Sequence, residues 1–370
     1  MKSIGVVLAA GLGTRLRPST LNCPKPLIPV AGVEPLFFAL YKFYQMGVHT
    51  VFVNTHHLDY RIREKLAQWK LMFPNFEIIV SFEKEILGTG GALLKIFSEH
   101  SEKFKNAQMI LQNGDTLAGI DIEAFLTQPH ANQFAISFLS EHLQKYKPLW
   151  VDSRGMWTGI GKTPPNTDSV PAHFLGIHSL GPQAINALLA MLKAGTLKVE
   201  ESDLFNGIYR PLVTEGFEFS AIEYFKSSLP NFDFWFDMTS KEFLLEAQKF
   251  ILTHLNGLPL WMELIAARYP GILQTTPGCW SLSTTPNFIR IEAPSLLLLK
   301  NGSSLHSSGG KLVLGPHSSF IYEGDNLSLD IRPQEVKIEN GVFFVQDSGT
   351  KTNTSPVVMT QNIDGDLFIQ

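Results

Sequence analysis

Two glycines one residue apart, then an arginine, then a lysine between prolines, stand near the start of the chain. They read Gly11-Leu12-Gly13-Thr14-Arg15, followed by Pro24-Lys25-Pro26. A glycine pair directly after a strand lets backbone N–H groups come close to an anion. Arg15 adds a fork of donors suited to phosphate oxygens, and Lys25 a point charge on a backbone stiffened by proline. No Gly-Lys-Ser/Thr ends the run, which excludes a P-loop kinase or ATPase. A dinucleotide fingerprint needs glycine where Leu16 stands, which disfavours hydride transfer. Taken alone, Gly-x-Gly is also met in plain strand-to-helix connections.

Three further places carry candidate chemistry. Leu87-Gly88-Thr89-Gly90-Gly91 opens a helical pattern, and bare glycines there would let a flat base lie against the backbone. An ordinary glycine-rich helix start reads the same way. Asn113-Gly114-Asp115 follows an apolar run, and a carboxylate at a strand's end suits Mg²⁺, which takes a few protein oxygens plus phosphates and waters. Asp237, in Trp235-Phe236-Asp237-Met238-Thr239, is either a second such carboxylate or an acid favoured by the dipole of the helix after it. His56-His57 reads as structural or surface, because neighbours on a strand point to opposite sides and chelate poorly.

The elements that must position these residues alternate. Apolar runs at 4–10, 50–54, 76–82 and 109–112 read as strands. Helical patterns at 35–46, 58–73 and from Gly90 separate them, the first stopped by Gly47. More strands follow at 134–139, 174–178 and 217–222, then a helix over 240–255 with Thr239 as N-cap, Glu242 three residues on and Gly257 as its stop. Strand alternating with helix implies an α/β fold: a Rossmann-like, mostly parallel or mixed sheet flanked by helices. Ligands in such sheets bind beyond the carboxyl ends of the strands, so site residues are expected just after Ala10, Phe82 and Gln112.

The run Leu8-Ala9-Ala10-Gly11-Leu12-Gly13-Thr14-Arg15-Leu16, with Pro24-Lys25-Pro26-Leu27 after it, resembles the signature of sugar-1-phosphate nucleotidyltransferases, matching it over residues 8–30. The resemblance extends over residues 1–250. It is nearest in kind to the compact N-acetylmuramate-1-phosphate uridylyltransferases and mannose-1-phosphate guanylyltransferases. It implies a GT-A-like catalytic domain over 1–257 and Mg²⁺ as cofactor. The substrates implied are a nucleoside triphosphate and a sugar-1-phosphate, used for cell-wall or surface polysaccharide precursors.

The resemblance also implies roles for particular residues. Leu8, Ala10, Gly11, Gly13, Thr14, Gly88, Thr89 and Asn113 would bind the nucleotide. Arg15, Lys25, Asp115 and Lys162 would be catalytic, with the metal on Asp115 and Asp237. Lys162 and Gly176 would face the sugar. The chain departs from the family pattern in three places. Met238-Thr239-Ser240 replaces the usual Ile-Gly-Thr, Gly161 stands where Glu precedes the lysine, and the asparagine before Gly176 is absent. Those departures keep a second reading open, a non-catalytic nucleotide-sugar-binding regulatory paralogue. A solvated surface lysine is the alternative reading of Lys162.

Composition bounds the rest. The 370 residues are 44% hydrophobic and 17% charged, which suits a packed globular protein, one large α/β domain plus something smaller. A net charge of -4 gives no reason to expect nucleic acid or an anionic membrane. Cys23 and Cys279 have no metal-ligand spacing and suggest no disulfide framework. No run approaches the roughly 20 apolar residues of a membrane span, and the start lacks a signal pattern, so a cytoplasmic protein is expected. The character changes after about residue 257: 258–269 reads as one short helix, and from Asn287 onward the 258–370 region is Ser- and Gly-rich. Short β-like runs there are set off by Asn301-Gly302, Gly309-Gly310 and Asn340-Gly341. This is expected to be a smaller β-rich domain, a degenerate β-helix, a roll or a sandwich, and a candidate interface for a homo-oligomer. No hexapeptide period is sustained in it. The polar stretch 347–354 is expected to be mobile.

Overall fold

The computed structural model describes residues 2–119, 123–138, 146–224 and 234–269, and strand segments between 273 and 369. The turn dipeptides of the tail and the stretch 347–354 lie outside the described residues. The chain divides into two compact units, residues 1–12 with 39–235 and residues 13–38 with 236–370.

In chain order the first two-thirds reads β1 (Ser3–Leu8), α1 (Pro35–Gln45), β2 (Thr50–Thr55), α2 (Asp59–Trp69), β3 (Glu77–Phe82), α3 (Gly88–Phe104), β4 (Gln108–Asn113), β5 (Thr116–Ala118) and α4 (Ala124–Thr127). Then come β6 (Gln133–Ser137), β7 (Leu149–Val151), β8 (Trp157–Ile160), β9 (Val170–Leu180), α5 (Pro182–Ala194), α6 (Arg210–Thr214), β10 (Ser220–Glu223), β11 (Trp235–Asp237), α7 (Lys241–His254) and α8 (Pro259–Arg268). A short π-helical turn, Phe205–Tyr209, leads into α6.

The first unit is built on one mixed sheet of order β10-β6-β9-β4-β1-β2-β3, with β7 and β8 added along β9. Strands β1 to β4 run parallel, as their near-continuous apolar sequences require. The long strand β9 enters antiparallel between β4 and β6, pairing Gln112 with Ile177 and Phe134 with His178. Ile4, Val6, Met109 and Leu111 pack with Leu93, Ile96 and Phe97 of α3 and with Ile185 and Leu188 of α5. The sheet therefore fixes where β1, β3 and β4 end, and those ends carry most of the candidate residues.

The second unit draws on two separate stretches of the chain. Helices α7 and α8 and residues 13–38 group with the tail. The physical reason is a set of long-range side-chain contacts: Trp261 of α8 donates its indole N–H to the Ala31 carbonyl at 3.1 Å, and Arg268 pairs with Glu34 at 2.7 Å. Ser240, not Thr239, caps α7, accepting the Phe243 N–H at 3.4 Å.

The tail strands wind in order through three sheets. Strands Ile289–Ile291, Lys311–Leu314, Glu335–Glu339 and Ile363–Asp364 stack in parallel in one. Ser295–Leu299, Ser318–Glu323, Val342–Gln346 and Leu367–Ile369 do so in the next, and Ser304–Ser307, Ser328–Ile331 and Val357–Met359 in the third. This is a parallel coil with three strands per turn. Its register steps from Leu296 to Ser319 and on to Val342. Leu296, Leu297, Leu298, Phe320 and Ile321 are buried, so the apolar run of the tail is core.

Candidate active site

The carboxyl ends of β1, β2, β3 and β4 open onto one cavity of about 210 Å³ in the first unit. Leu8, Ala10 and Gly11 line it from the end of β1, Asn113 and Asp115 from the end of β4, and Gly88 and Thr89 from the start of α3. Seven of the residues singled out in the sequence therefore meet at one place. Gly114 fixes the two strand ends to each other, donating its N–H to the Leu8 carbonyl at 2.8 Å. A larger groove of about 810 Å³, between α3 and α5, has no residue from a strand's carboxyl end and lies away from this chemistry.

Three lining residues were missed in the sequence, Asn54, Glu83 and Ile86, and the first two organise the others. Asn54 is the last residue but one of β2, and its side-chain oxygen accepts the Ala9 N–H at 2.6 Å. Its amide nitrogen donates to Glu83 Oε1 at 2.6 Å. The other oxygen of Glu83 accepts the Leu87 N–H at 2.9 Å. Glu83 is 1% exposed, so each of these bonds replaces water that the carboxylate has lost. The relay ties the start of the glycine pair to the start of the second glycine-rich turn. A signal for Glu83 was present, since it directly follows Phe82, where the strand-end rule places site residues. His56 holds the Glu83 carbonyl through Nδ1 at 2.9 Å, a structural role.

The second glycine-rich turn packs closely against residues 200–204. Its bare backbone faces the chain itself: the Gly90 N–H donates to the Ser202 carbonyl at 2.8 Å, and the Ser202 N–H donates to the Leu87 carbonyl at 2.9 Å. A Cβ on Gly90 would sit 2.3 Å from the Asp203 carbonyl oxygen, and one on Gly91 2.2 Å from that of Glu200. The glycines at 90 and 91 thus answer to a close backbone approach. Gly88 and Thr89 reach the cavity, and Thr89 Oγ1 also accepts the Leu204 N–H at 3.1 Å. Gly176, at φ 73°, leaves room for the Asn113 amide, which a Cβ would meet at 2.7 Å.

The remaining candidates stand elsewhere. Lys162 is exposed on the bend after β8 and does not line the cavity; the neighbouring Gly161 carbonyl accepts the Trp150 indole N–H at 2.7 Å. Gly13, Thr14, Arg15, Lys25 and Asp237 belong to the second unit. There Gly13 is left-handed at φ 62°, against Thr20 and the Lys25 stem, and Thr20 donates its hydroxyl to the Gly13 carbonyl at 2.9 Å. Arg15 is exposed and Lys25 largely buried.

The polar side chains that line the cavity carry oxygen. Asp115, Glu83, Asn113 and Asn54 all offer oxygen, and no histidine or cysteine lines it among the described residues. Asn54 Oδ1 and both Glu83 oxygens already accept hydrogen bonds, and among the described residues no group of three or more His, Cys, Asp or Glu side chains is placed to hold a metal ion.

Comparison with known proteins agrees with this geometry. The family described as nucleotidyl transferase matches residues 4–146. Over 128 residues the chain is 31% identical to a mannose-1-phosphate guanylyltransferase of Mycobacterium tuberculosis, covering 35% of this chain and 34% of that protein. It is 25% identical over 331 residues to a UTP–glucose-1-phosphate uridylyltransferase of Synechocystis, covering 84% and 76%. A D-glycero-alpha-D-manno-heptose 1-phosphate guanylyltransferase of Aneurinibacillus thermoaerophilus is 28% identical over 39% of this chain and 57% of its own. The chain thus spans about a third and about half of the lengths of the two guanylyltransferases. Among solved structures, a putative glucose-1-phosphate thymidylyltransferase of Bacillus anthracis superposes with a TM-score of 0.52 at 20% identity, covering 66% of this chain and 93% of that one. HddC of Yersinia pseudotuberculosis, solved with GMP-PN, gives 0.50 at 20% identity, covering 67% and 98%.

Proposed function

We propose, on the premise that residues 4–146 belong to the nucleotidyl transferase family, that the chain is a sugar-1-phosphate nucleotidyltransferase. It would convert a nucleoside triphosphate and a sugar-1-phosphate into a nucleotide sugar and pyrophosphate. The observation that carries this reading is the convergence of the β1, β3 and β4 ends on one cavity with Asp115 at its edge.

In this reading an oxygen of the sugar phosphate attacks the α-phosphorus in line and pyrophosphate leaves. No covalent intermediate is needed, so the chain's work is positioning and charge neutralisation. Backbone groups at Ala10 and Gly11 seat the phosphates, and Gly88 and Thr89 hold the nucleoside end. Arg15 neutralises the leaving pyrophosphate, Lys25 holds the α-phosphate, and Lys162 aligns the attacking phosphate. Asp115 and Asp237 would hold Mg²⁺, whose chemistry is neutralisation of phosphate charge. The base is uracil or guanine by analogy with the relatives' names, and the sugar is of the mannose, heptose, glucose or N-acetylmuramate kind. We assign the product to cell-wall or surface polysaccharide synthesis in the cytoplasm.

The test is pyrophosphate release with Mg²⁺, crossing each nucleoside triphosphate with a panel of sugar-1-phosphates. Robust release with one pair supports the reading. Silence across the panel, with nucleotide-sugar binding still measurable, would favour the non-catalytic paralogue that the altered 238–240 sequence keeps in view.

A further inference from the structure

The part of the chain with no place in that mechanism is the helical and coiled C-terminal region, and the second unit shows what it holds. Residues 24–33 carry Lys25 in a short 3-10 turn and end in a tight turn. Val30 and Val33 exchange two backbone hydrogen bonds, each 3.0 Å. Between them Ala31 and Gly32 are both left-handed, at φ 42° and 85°, the arrangement of a type I′ turn. Glycine takes that region freely, but alanine does not, and such a residue persists only where its surroundings over-determine it.

The surroundings are three side chains from far along the chain. Gln248 of α7 accepts the Ala31 N–H through Oε1 at 3.4 Å. The same oxygen accepts the Ser319 hydroxyl of the coil at 2.8 Å. Trp261 of α8 donates to the Ala31 carbonyl at 3.1 Å. One peptide residue is thus gripped at both of its polar groups, and the grip is linked through Gln248 to the coil. Just beyond, the Glu34 carboxylate accepts from Arg268 Nη2 at 2.7 Å and from Nε at 3.3 Å. Gly32 lies so close to the coil that a Cβ would meet Leu298 at 2.7 Å. Gln248, Ser319 and Ala31 are fully buried. An apolar face would suffice to hold a domain in place. Buried hydrogen-bonded groups fix a single register, because any slip leaves them without partners.

We propose that the C-terminal coil with α7 and α8 is a clasp that sets the register of residues 24–33, with Gln248 as the positioning residue. It acts through the 31–32 turn on Lys25, six residues before Ala31. The consequence for turnover rests on the transferase reading above; the clasp itself does not.

The experiment uses the full chain with Gln248→Met and, separately, Ser319→Ala and Ser319→Thr. Hydrogen exchange of the peptide covering residues 27–33 is read alongside kcat and KM for pyrophosphate release. The clasp predicts that Gln248→Met and Ser319→Ala speed exchange at 30–33 at least tenfold and leave β1 to β4 unchanged. It predicts a roughly tenfold fall in kcat with both KM values within about twofold, as misplacement of a transition-state contact would give. Ser319→Thr, which keeps the hydroxyl, restores both readouts. If Gln248→Met does not fold, Ser319→Ala and Ser319→Thr decide alone. Exchange at 30–33 unchanged in Ser319→Ala overturns the proposal, and so does faster exchange across the whole second unit with kcat intact. A wild-type chain inactive on every substrate pair would sink the transferase reading, while the exchange data would still decide the clasp.

Discussion

Two glycine-bearing turns flank candidate nucleotide contacts, one in each unit, and they are held in opposite ways. The turn at Gly88–Gly91 is fixed by backbone meeting backbone, Gly90 N–H on the Ser202 carbonyl and Ser202 N–H on the Leu87 carbonyl. The turn at Ala31–Gly32 is fixed by side chains 217 and 230 residues away along the chain. The first kind of turn demands small residues where it stands and so leaves a trace in the local sequence. The second demands nothing local but a tolerance of φ > 0, and its partners are ordinary Gln, Trp and Ser residues in other elements.

On the transferase reading, losing Asp115 and losing Lys25 should be equally severe. Asp115→Ala in the first unit and Lys25→Ala in the second should each lower turnover at least about a hundredfold, roughly 2.7 kcal/mol of transition-state stabilisation. A steady-state assay that finds either variant near wild-type rate removes that residue from the mechanism and breaks the equivalence. Next in size is Gly90→Ala. Its methyl would collide with the Asp203 carbonyl, and overpacking of that kind costs about 1–3 kcal/mol. Denaturant unfolding should show the loss, whereas Gly47→Ala, where a Cβ meets nothing within 4 Å, should show only the smaller strain of its φ of 71°. Equal effects would mean that backbone approach is not what holds the turn.

How much of this was legible follows from the same contrast. The strand order of β1 to β4 and the loops after them could be read because parallel strands must be apolar on both faces and ligands gather at their carboxyl ends. Glu83 was legible by that rule, since it directly follows Phe82. Helix α5 was also passed over, although Pro182 at its start and Gly195, left-handed at its end, are ordinary boundary signals. The role of Ser202 was not legible, since only its backbone acts. Nor was the grouping of residues 13–38 with the tail, which depends on Glu34, Gln248, Trp261 and Arg268 meeting across the chain. The coil lacks an even hexapeptide period because its turns between strands vary: Lys311 pairs with Glu335, whereas Leu329 pairs with Val357.

Two smaller effects sharpen the account of the first unit. Glu83→Gln would set an amide N–H₂ against one of two donors, Asn54 Nδ2 or the Leu87 N–H. An unmade buried hydrogen bond costs about 1–3 kcal/mol, so nucleotide affinity should fall on the order of tenfold, measurable by titration calorimetry. Unchanged affinity would mean that the relay does not support the nucleotide. His178, buried beside Tyr209 and Phe134, has its pKa pushed down from 6.5 to about 3 by loss of solvent. Its folded form resists protonation, so below about pH 6.5 the unfolded state binds the extra proton and stability falls. The loss should continue until the pH nears 3, and amounts to about 1.4 kcal/mol at pH 5.5. Substituting His178→Phe should flatten the decline between pH 6.5 and 5; an identical pH profile would show that other groups govern it.

The most direct test of the central claim follows the α-phosphate. The full chain, Mg²⁺, a nucleoside triphosphate labelled at the α-phosphorus and a sugar-1-phosphate are mixed, with Asp115→Ala run in parallel. The account predicts that the label moves into a nucleotide sugar while unlabelled pyrophosphate appears in equal amount, and that Asp115→Ala slows both at least about a hundredfold. Label that stays in the triphosphate across the whole sugar panel, or an Asp115→Ala chain that transfers it at the wild-type rate, would contradict it.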